Sequence, residues 1–292
     1  MLKSVSYAGL EPGPKLLVLG AVHGNEKCGT AAIHKILGEI DSGKIKVLRG
    51  QAVFVPIANP RAHEKDARFT ERNLNRYLVP TPNPDSYEAR LGNALCPLLE
   101  ACDVLLDIHS YTVGGAPFIF VSSHDEKEHA FAASLGPYAL LTGWAEAYAK
   151  TGRKAREEDS EESTGTTEYA RRFGAMAATI ECGQHKDPAA PEIAYEAIRN
   201  ALRYLEMTDE PKAAGAPGKA KLVTVTHVFY RDNEGKFPKA WKHLEPVKPG
   251  EVLALHADGS AIEAPANGFI IMPKESCPIG EEWFYFGVEK AA

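Results

Sequence analysis

Three short apolar runs most constrain how this chain can fold. They occupy residues 15–20, 103–109 and 177–181, and each is closed by glycine or by a polar residue. Apolar runs of this length, bounded in this way, are typical of strands that are buried on both faces. The chain is therefore expected to build a sheet that lies inside the molecule rather than on its surface.

Segments with helical periodicity alternate with these strands. Apolar side chains recur three and four positions apart over residues 28–40, 86–102 and 191–207, which predicts amphipathic helices. Two further strands are predicted over residues 47–57 and 117–122. This alternation predicts a layered α/β domain with a largely parallel or mixed sheet.

The pattern changes near residue 209. Residues 209–220 are rich in alanine, glycine, proline and lysine without periodicity, which indicates a linker. Beyond them, short β-type runs are separated by glycine and proline. We therefore predict a first domain over residues 1–208 and a small all-β module over residues 221–292. The charge-rich residues 153–162 are expected to form a solvated loop.

Charge and cysteine content argue against several classes of protein. The 39 acidic and 33 basic residues give a net charge of -6 at pH 7, which argues against a nucleic acid or an anionic membrane as a partner. No apolar run approaches the roughly 20 residues that span a bilayer, and the N-terminus lacks the pattern of a signal peptide. Five cysteines without a CxxC pair predict a reducing, cytoplasmic location.

A metal-binding pattern follows the first predicted strand. His23 and Glu26, in the sequence HGNE, lie between a strand and a helix, and zinc binds such a set of nitrogen and oxygen donors. A catalytic zinc uses three protein ligands, and His109, at the end of another predicted strand, is expected to supply the third. An HxxE pattern alone is usually a pair of surface residues, but the two buried strands beside it favour a zinc site. Asp107 would either orient a ligand or cap its strand.

Five motifs in order resemble a known family. The sequence reads GAVHGNE, NPRA, NLNR, DIHS and IECG, with Arg68 between the second and the third. Over residues 16–185 it resembles the succinylglutamate desuccinylase/aspartoacylase family, relatives of the zinc carboxypeptidases. The resemblance implies a three-layer mixed sheet like that of the zinc carboxypeptidases, a C-terminal β module, and one Zn2+ per chain bound by His23, Glu26 and His109.

The resemblance also implies two catalytic residues. Glu181, in the motif IECG, matches the general base and acid of the family, and a glutamate there can take a proton from an activated water and pass it to the departing amine. Arg68 matches the arginine that polarises the scissile carbonyl and stabilises the oxyanion. Cys182 is expected to be a buried packing residue rather than a nucleophile, because no cysteine–histidine pair with an orienting third group is evident.

Other matches concern the binding of a substrate. Arg76, with Asn75, matches the pair that binds the substrate carboxylate, for which a planar guanidinium is well suited. Asn59 and Arg61 match pocket residues of the NPR turn, where a structural role is the alternative. The density of arginine between residues 61 and 76 favours an anion pocket over surface salt bridges.

Two further assignments rest on a looser alignment. Arg171 lies ten residues before Glu181, where the family has a second arginine for the substrate side chain, and the neighbouring Arg172 could take its place. Tyr285 would supply the tyrosine of the C-terminal module. The sequence His-Ser-Tyr at residues 109–111 is closer to the carboxypeptidases than the His-Asn of aspartoacylase, which leaves the substrate open.

These observations predict hydrolysis of the amide bond of a small N-acyl amino acid. A metallocarboxypeptidase that acts on peptides needs the same zinc ligands and the same carboxylate clamp, and is the first alternative. A non-catalytic protein that binds a carboxylated ligand is the second, but such a protein would not need Glu181. The sequence leaves the acyl group open, and a homodimer is implied by family resemblance alone.

Overall fold

The computed structural model describes residues 1–121, 125–153, 164–211 and 220–290. Most of the charge-rich stretch 153–162 and of the predicted linker 209–220 lies outside the described residues. The strands are β1 (Val5–Ala8), β2 (Glu11–Gly20), β3 (Arg49–Val55), β4 (Val104–Tyr111), β5 (Phe118–Phe120), β6 (Ala139–Thr142), β7 (Met176–Gln184), β8 (Lys221–Tyr230), β9 (Gly235–Lys236), β10 (Glu245–Val247), β11 (Val252–His256), β12 (Ala261–Glu263), β13 (Gly268–Ile271) and β14 (Glu282–Glu289). The helices are α1 (Cys28–Asp41), α2 (Pro60–Glu64), α3 (Tyr87–Glu100), α4 (Glu126–Ser134), α5 (Trp144–Lys150), α6 (Thr166–Arg172) and α7 (Ala190–Tyr204).

The three apolar runs form the centre of an eleven-stranded sheet. Strands β2, β4 and β7 are neighbours and run parallel to one another, within the order β1-β3-β2-β4-β7-β5-β6-β8-β14-β13-β10. Strand β4 is buried along its whole length, as expected of a parallel strand covered on both faces. Because the carboxyl ends of parallel strands meet at one edge of a sheet, the polar residues that close these runs are brought together there.

Helices cover both faces of the central strands, so the fold has three layers. On one face, α1, α4 and α7 pack against alternate residues such as Leu106 and Ile180. On the other face, α3 and α6 pack against the residues between them, such as Leu105 and Ala177. The predicted three-layer mixed sheet is therefore confirmed.

The C-terminal strands extend the same sheet. Strand β8 pairs in parallel with β6, and β14, β13 and β10 follow it in antiparallel order, while β12, β11 and β9 form a separate small sheet. No helix occurs in the described residues after α7, which confirms the predicted β module. The boundary at residues 209–220 stays a prediction. Among the helices of the described ranges, none is long and apolar enough to cross a membrane.

His243 anchors the β module against the loop that follows β4. Its backbone N–H donates to the Gly114 carbonyl at 2.8 Å, and a Cβ at Gly115 would lie 2.5 Å from the His243 carbonyl oxygen, so glycine permits the close approach. The imidazole is buried beside Phe118, with 4.4 Å between ring centroids, and its Nδ1 accepts the Met272 N–H at 3.0 Å. Burial lowers the pKa of His243 to about 3.

This buried histidine is expected to make the fold acid-sensitive. Between the ordinary pKa of 6.5 and the folded pKa of about 3, the unfolded chain binds a proton that the folded chain does not, so stability falls as the pH falls. From pH 7 to pH 5 the contribution of His243 to the free energy of unfolding should drop by about 2 kcal/mol. Urea unfolding of His243→Gln should show a shallower pH dependence by that amount, and an unchanged dependence would contradict the prediction.

Candidate metal centre and active site

Three predicted ligands meet at the carboxyl edge of the central strands. His23 and Glu26 lie in the turn between β2 and α1, and His109 lies near the end of β4. One ligand atom from each residue falls within 4.8 Å of the others. The three residues are 3%, 1% and 1% exposed. A buried cluster of two imidazoles and one carboxylate is the donor set that zinc favours in catalytic sites.

The hydrogen bonds of the two histidines direct their Nδ1 atoms at Glu26. His23 Nδ1 lies 2.9 Å from Glu26 Oε1, and His109 Nδ1 lies 2.8 Å from Glu26 Oε2. The outer nitrogens face other acceptors. Asn73 Oδ1 lies 3.1 Å from His23 Nε2, and Asp107 Oδ2 lies 2.9 Å from His109 Nε2, off the line of a straight hydrogen bond. Acceptors at both Nε2 atoms favour the tautomer that leaves Nδ1 able to bind a metal, so these residues fit a zinc ion.

The carboxylates and imidazoles of the cluster stabilise one another's charged forms. Burial favours the neutral form of Glu26, but His23 and His109 outweigh it and hold the pKa of this carboxyl well below its usual range. Burial likewise opposes a charged His109, but Asp107 and Glu26 hold the pKa of its imidazole well above the ordinary value. For His23, burial prevails and lowers the pKa to about 4. A cation is thus stabilised by the carboxylates that surround the cluster.

Glu181 lies beside the ligand cluster. It is paired with His109 in the register of β4 and β7, so the two side chains emerge on the same face of the sheet. Its Oε2 is buried and has no hydrogen-bond partner among the described residues. Burial, with the charge of Glu26 as the next cause, raises the pKa of Glu181 to about 8. A carboxylate in this state is a strong proton acceptor when a water molecule approaches it.

Arg68 also reaches the cluster. Its Nη1 donates to Glu26 Oε1 at 3.1 Å, and 45% of its side chain is exposed. The Gly24 N–H donates to the Arg68 carbonyl at 3.2 Å. A Cβ at Gly24 would lie 2.0 Å from the Ala62 carbonyl carbon, so the glycine of HGNE lets this turn approach α2 closely. The structure therefore brings Arg68 to the edge of the predicted site.

Asn75 and Arg76 lie next to this group. Asn75 Oδ1 accepts the Thr166 N–H at 2.8 Å, and the Thr166 hydroxyl donates to Asp107. Arg76 Nη1 donates to the Asn75 carbonyl at 2.9 Å, and its side chain is half-buried. The pair is thus joined to the cluster through Thr166 and Asp107.

Asn59 and Arg61 make contacts that organise the loop. Asn59 Oδ1 accepts the Ala62 N–H at 3.3 Å and begins α2, while its amide donates to Glu88 at 3.2 Å. Arg61 lies over the ring of Tyr87 at 4.3 Å, with 56% of its side chain exposed. These contacts support the structural alternative for both residues.

Arg171 is engaged away from the cluster. It binds both carboxylate oxygens of Glu128, each at 2.8 Å, and donates to the Ala177 carbonyl at 3.0 Å. Arg172 donates to the Thr164 hydroxyl at 2.8 Å. Neither set of contacts supports the predicted role in binding a substrate.

Tyr285 belongs to a row of aromatic rings. Its ring centroid lies 4.4 Å from that of Trp144, and its hydroxyl lies 2.9 Å from that of Tyr148. The row continues through Phe120 to Phe118, which is paired with Glu181 in the register of β5 and β7. Strand β14 thus connects to the neighbourhood of Glu181 through aromatic contacts.

Sequence reasoning assigned no role to several residues that hold the cluster. Asn73 fixes the outer nitrogen of His23, and Thr166 fixes Asp107. Asn73 is the first residue of the motif NLNR, so its place in that motif could have indicated a role at the site. Nothing in the sequence around Thr166 indicates its contact with Asp107. His185 lies with its Nδ1 2.8 Å from the hydroxyl of Ser110, the residue that follows His109.

Replacement of Asn73 should weaken metal binding. Asn73→Ala removes the acceptor that orients His23, and loss of such a partner typically lowers metal affinity about 10–100-fold. Competition with a chromophoric chelator measures this affinity. Asn93→Ala is a matched control, because Asn93 makes two hydrogen bonds with Thr81 away from the cluster. Equal zinc affinities for the two variants would contradict the prediction.

Comparisons with known proteins show which family this chain resembles. A profile of the "Succinylglutamate desuccinylase/Aspartoacylase catalytic domain" matches residues 12–208. A "Probable aspartoacylase" from Prochlorococcus marinus (strain MIT 9515) is 30% identical over 129 residues, which cover 41% of this chain and 42% of that protein. An "N-acyl-aromatic-L-amino acid amidohydrolase (carboxylate-forming)" from Mus musculus is 33% identical over 114 residues, 35% of either protein.

The chain therefore spans less than half the length of these two relatives, whereas its fold is matched almost throughout. The crystal structure of a succinylglutamatedesuccinylase/aspartoacylase from Rhodobacter sphaeroides superposes with a TM-score of 0.78 over 98% of this chain and 89% of that one, at 17% identity. Such a likeness shows the fold. Because the profile covers more than half of the sequence, this chain belongs to the succinylglutamate desuccinylase/aspartoacylase family.

Proposed function

We propose that this protein is a zinc-dependent amidohydrolase that removes the acyl group from a small N-acyl amino acid. The observation that carries the proposal is the buried cluster of His23, Glu26 and His109 with Glu181 beside it. A zinc ion held by the two Nδ1 atoms and the carboxylate would polarise the scissile carbonyl and lower the pKa of a water molecule. Membership of the family supports the same reaction class.

Glu181 and Arg68 would carry out the proton transfer and the charge stabilisation. Glu181 takes a proton from the attacking water, whose oxygen forms a bond to the carbonyl carbon. The C–N bond then breaks, and Glu181 passes the proton to the nitrogen of the leaving amine. Arg68, half exposed at the edge of the cluster, donates hydrogen bonds to the oxygen on which negative charge develops.

The substrate carboxylate is assigned to Arg76 with Asn75. A guanidinium binds a carboxylate through two parallel hydrogen bonds, and the half-buried pair is connected to the cluster through Thr166. Tyr285 is kept as a substrate contact of the β module, because its aromatic row ends beside Glu181. Arg171 is left out, because its guanidinium is engaged by Glu128.

Arg171 is expected to contribute to stability instead. Glu128 is 2% exposed, and Arg171→Gln would leave its carboxylate without this cation. Breaking a fully buried pair costs about 3–5 kcal/mol; because Arg171 is 30% exposed, we expect a loss of about 2–3 kcal/mol in the free energy of unfolding. KM should not change, and a rise in KM confined to dicarboxylate substrates would restore the substrate role. Arg172→Gln, which loses a bond to a neutral hydroxyl, should cost about 1 kcal/mol.

The cytoplasm is the proposed location, since all five cysteines are free and buried. The proposed partner is the small substrate, with no role for nucleic acid or membrane. The homodimer stays a prediction, which sedimentation equilibrium can test.

The function is tested by metal analysis and substrate profiling together. We expect one zinc per chain and chelator-sensitive release of free amine from a panel of acetyl, succinyl and larger acyl amino acids. Faster cleavage of tripeptides than of any acylated amino acid would indicate a carboxypeptidase. Bound zinc without turnover of either class would favour a binding protein, and metal-free protein that is fully active would refute the zinc site.

A further inference from the structure

Glu88, on helix α3, is a buried carboxylate that accepts hydrogen bonds from one loop and from Asn59, which begins α2. It is 1% exposed. Its Oε1 accepts the Thr70 N–H at 2.8 Å, the Thr70 hydroxyl at 2.7 Å and the Asn59 amide at 3.2 Å. Its Oε2 accepts the N–H groups of Glu71 at 3.1 Å and of Arg72 at 3.4 Å. One side chain thus satisfies five donors across fourteen positions of sequence.

The loop that Glu88 binds has no regular structure of its own. Between the end of α2 at Glu64 and the start of α3 at Tyr87 the chain forms neither helix nor strand, so the N–H groups of Thr70, Glu71 and Arg72 have no helix or strand ladder to satisfy them. Buried backbone donors without acceptors are costly. A carboxylate that accepts several of them at once fixes the loop in one conformation, and these donors in turn offset the cost of burying the charge.

This loop carries the groups that the proposed reaction uses. Arg68, which reaches Glu26, lies two residues before Thr70. Asn73, which fixes His23, lies one residue after Arg72. The residues bound by Glu88 therefore lie directly between an arginine at the site and the partner of a metal ligand. A change at Glu88 would move both ends of this short segment.

We propose that Glu88 is a positioning residue for the hydrolysis: by binding Thr70, Glu71 and Arg72 it holds Arg68 in place for the developing charge. The inference rests on the proposed function. Glu88 acts through the loop, because four of its five hydrogen bonds are made with Thr70, Glu71 and Arg72. The fifth is made with Asn59, and none of the five with the proposed metal ligands. The simpler alternative is that Glu88 stabilises the fold without influence on the reaction.

Two variants separate these roles. Glu88→Gln keeps the size of the side chain but replaces one acceptor oxygen with an NH2 group that faces other donors. Thr70→Val keeps the shape of Thr70 and removes only its hydroxyl. Because this change is milder, the variant should still fold even if Glu88→Gln does not. We expect kcat to fall about 10–100-fold in Glu88→Gln and about 3–10-fold in Thr70→Val, with KM nearly unchanged. In the Arg68→Lys background, Glu88→Gln should lower kcat by a much smaller factor than it does in the wild-type protein.

Glu100→Gln is the matched control. Glu100 lies twelve residues further along the same helix and accepts the Tyr169 hydroxyl at 2.6 Å, a contact with α6 rather than with residues 68–73, so its loss should lower stability without a change in kcat. Hydrogen exchange gives a readout that needs no substrate: amides of residues 68–73 should exchange faster in Glu88→Gln and not in Glu100→Gln.

The outcomes distinguish this inference from the proposed function. If the wild-type protein is active and kcat is unchanged in both Glu88→Gln and Thr70→Val, the positioning role is overturned, whether or not amide exchange is faster. If the wild-type protein releases no amine from any substrate, the proposed function fails. The exchange measurement then still decides whether Glu88 orders the loop, and unchanged exchange would overturn that as well.

Discussion

Glu181→Gln is expected to lower kcat by about 10²–10⁴-fold, the usual contribution of a positioned general base. The zinc content should stay the same. Glutamine has nearly the shape of glutamate but cannot accept the proton of the attacking water. The effect should be large because Glu181 is paired with His109 across β4 and β7, while its Oε2 has no hydrogen-bond partner within the described part of the chain. A water molecule there would meet an acceptor that is not already engaged.

The measurement requires both turnover and bound metal. Steady-state release of amine from the best substrate gives kcat, and elemental analysis of the same preparation gives zinc per chain. Glu192→Gln is a suitable control, since Glu192 lies on α7 in an exposed ion pair with Lys35 and should leave both quantities unchanged. Wild-type turnover in Glu181→Gln would remove Glu181 from the mechanism, and loss of zinc would mean that it acts on the ligands instead.

The position of the site could be predicted because it depends on local patterns. A short apolar run closed by a polar residue indicates a buried strand, and parallel strands bring their carboxyl ends together. His109 and Glu181 could therefore be placed at one edge before their contacts were known. The order β2-β4-β7 then makes them neighbours, and the turn after β2 adds His23 and Glu26.

The contacts that could not be predicted are those between distant segments. Arg171 binds Glu128, which is 43 positions away, and no periodicity or motif pairs α4 with α6. Glu88 looks in sequence like an ordinary first-turn residue of a helix, and its burial depends on the path of an irregular loop. The sequence pattern does not indicate helices α4, α5 and α6 either, because they are short and their stability comes from packing.

The extent of the sheet was also beyond sequence reasoning. The composition near residue 209 predicts a linker before a small β module, and nothing in it indicates that β8 pairs with β6 and continues the main sheet. The paired residues, such as Ala139 and Lys221, are far apart in sequence, and such pairing depends on the three-dimensional course of the chain. The all-β character of the module follows from local strand and turn patterns and could be predicted. Its pairing with the main sheet depends on distant residues and could not.

Arg68→Lys is expected to lower kcat by about 10²–10³-fold, the usual cost of removing one donor from an oxyanion site. Lysine keeps the positive charge but loses the planar fork of donors, so it cannot donate to Glu26 and to a developing oxyanion in the same geometry. KM should change little, because the substrate carboxylate is assigned to Arg76. Zinc content should stay the same, since lysine keeps a positive charge beside Glu26 Oε1.

Arg90→Lys, an exposed change on α3, is the control for charge-preserving substitution. Addition of free guanidinium to Arg68→Ala should restore part of the lost kcat if the missing group is a hydrogen-bond donor to the substrate, because the half-exposed side chain leaves a path from solvent. If zinc affinity falls and kcat does not, Arg68 would instead be assigned to the orientation of Glu26. Since the Gly24 N–H binds the Arg68 carbonyl, neither variant removes the backbone contact between the two loops, so the comparison isolates the guanidinium.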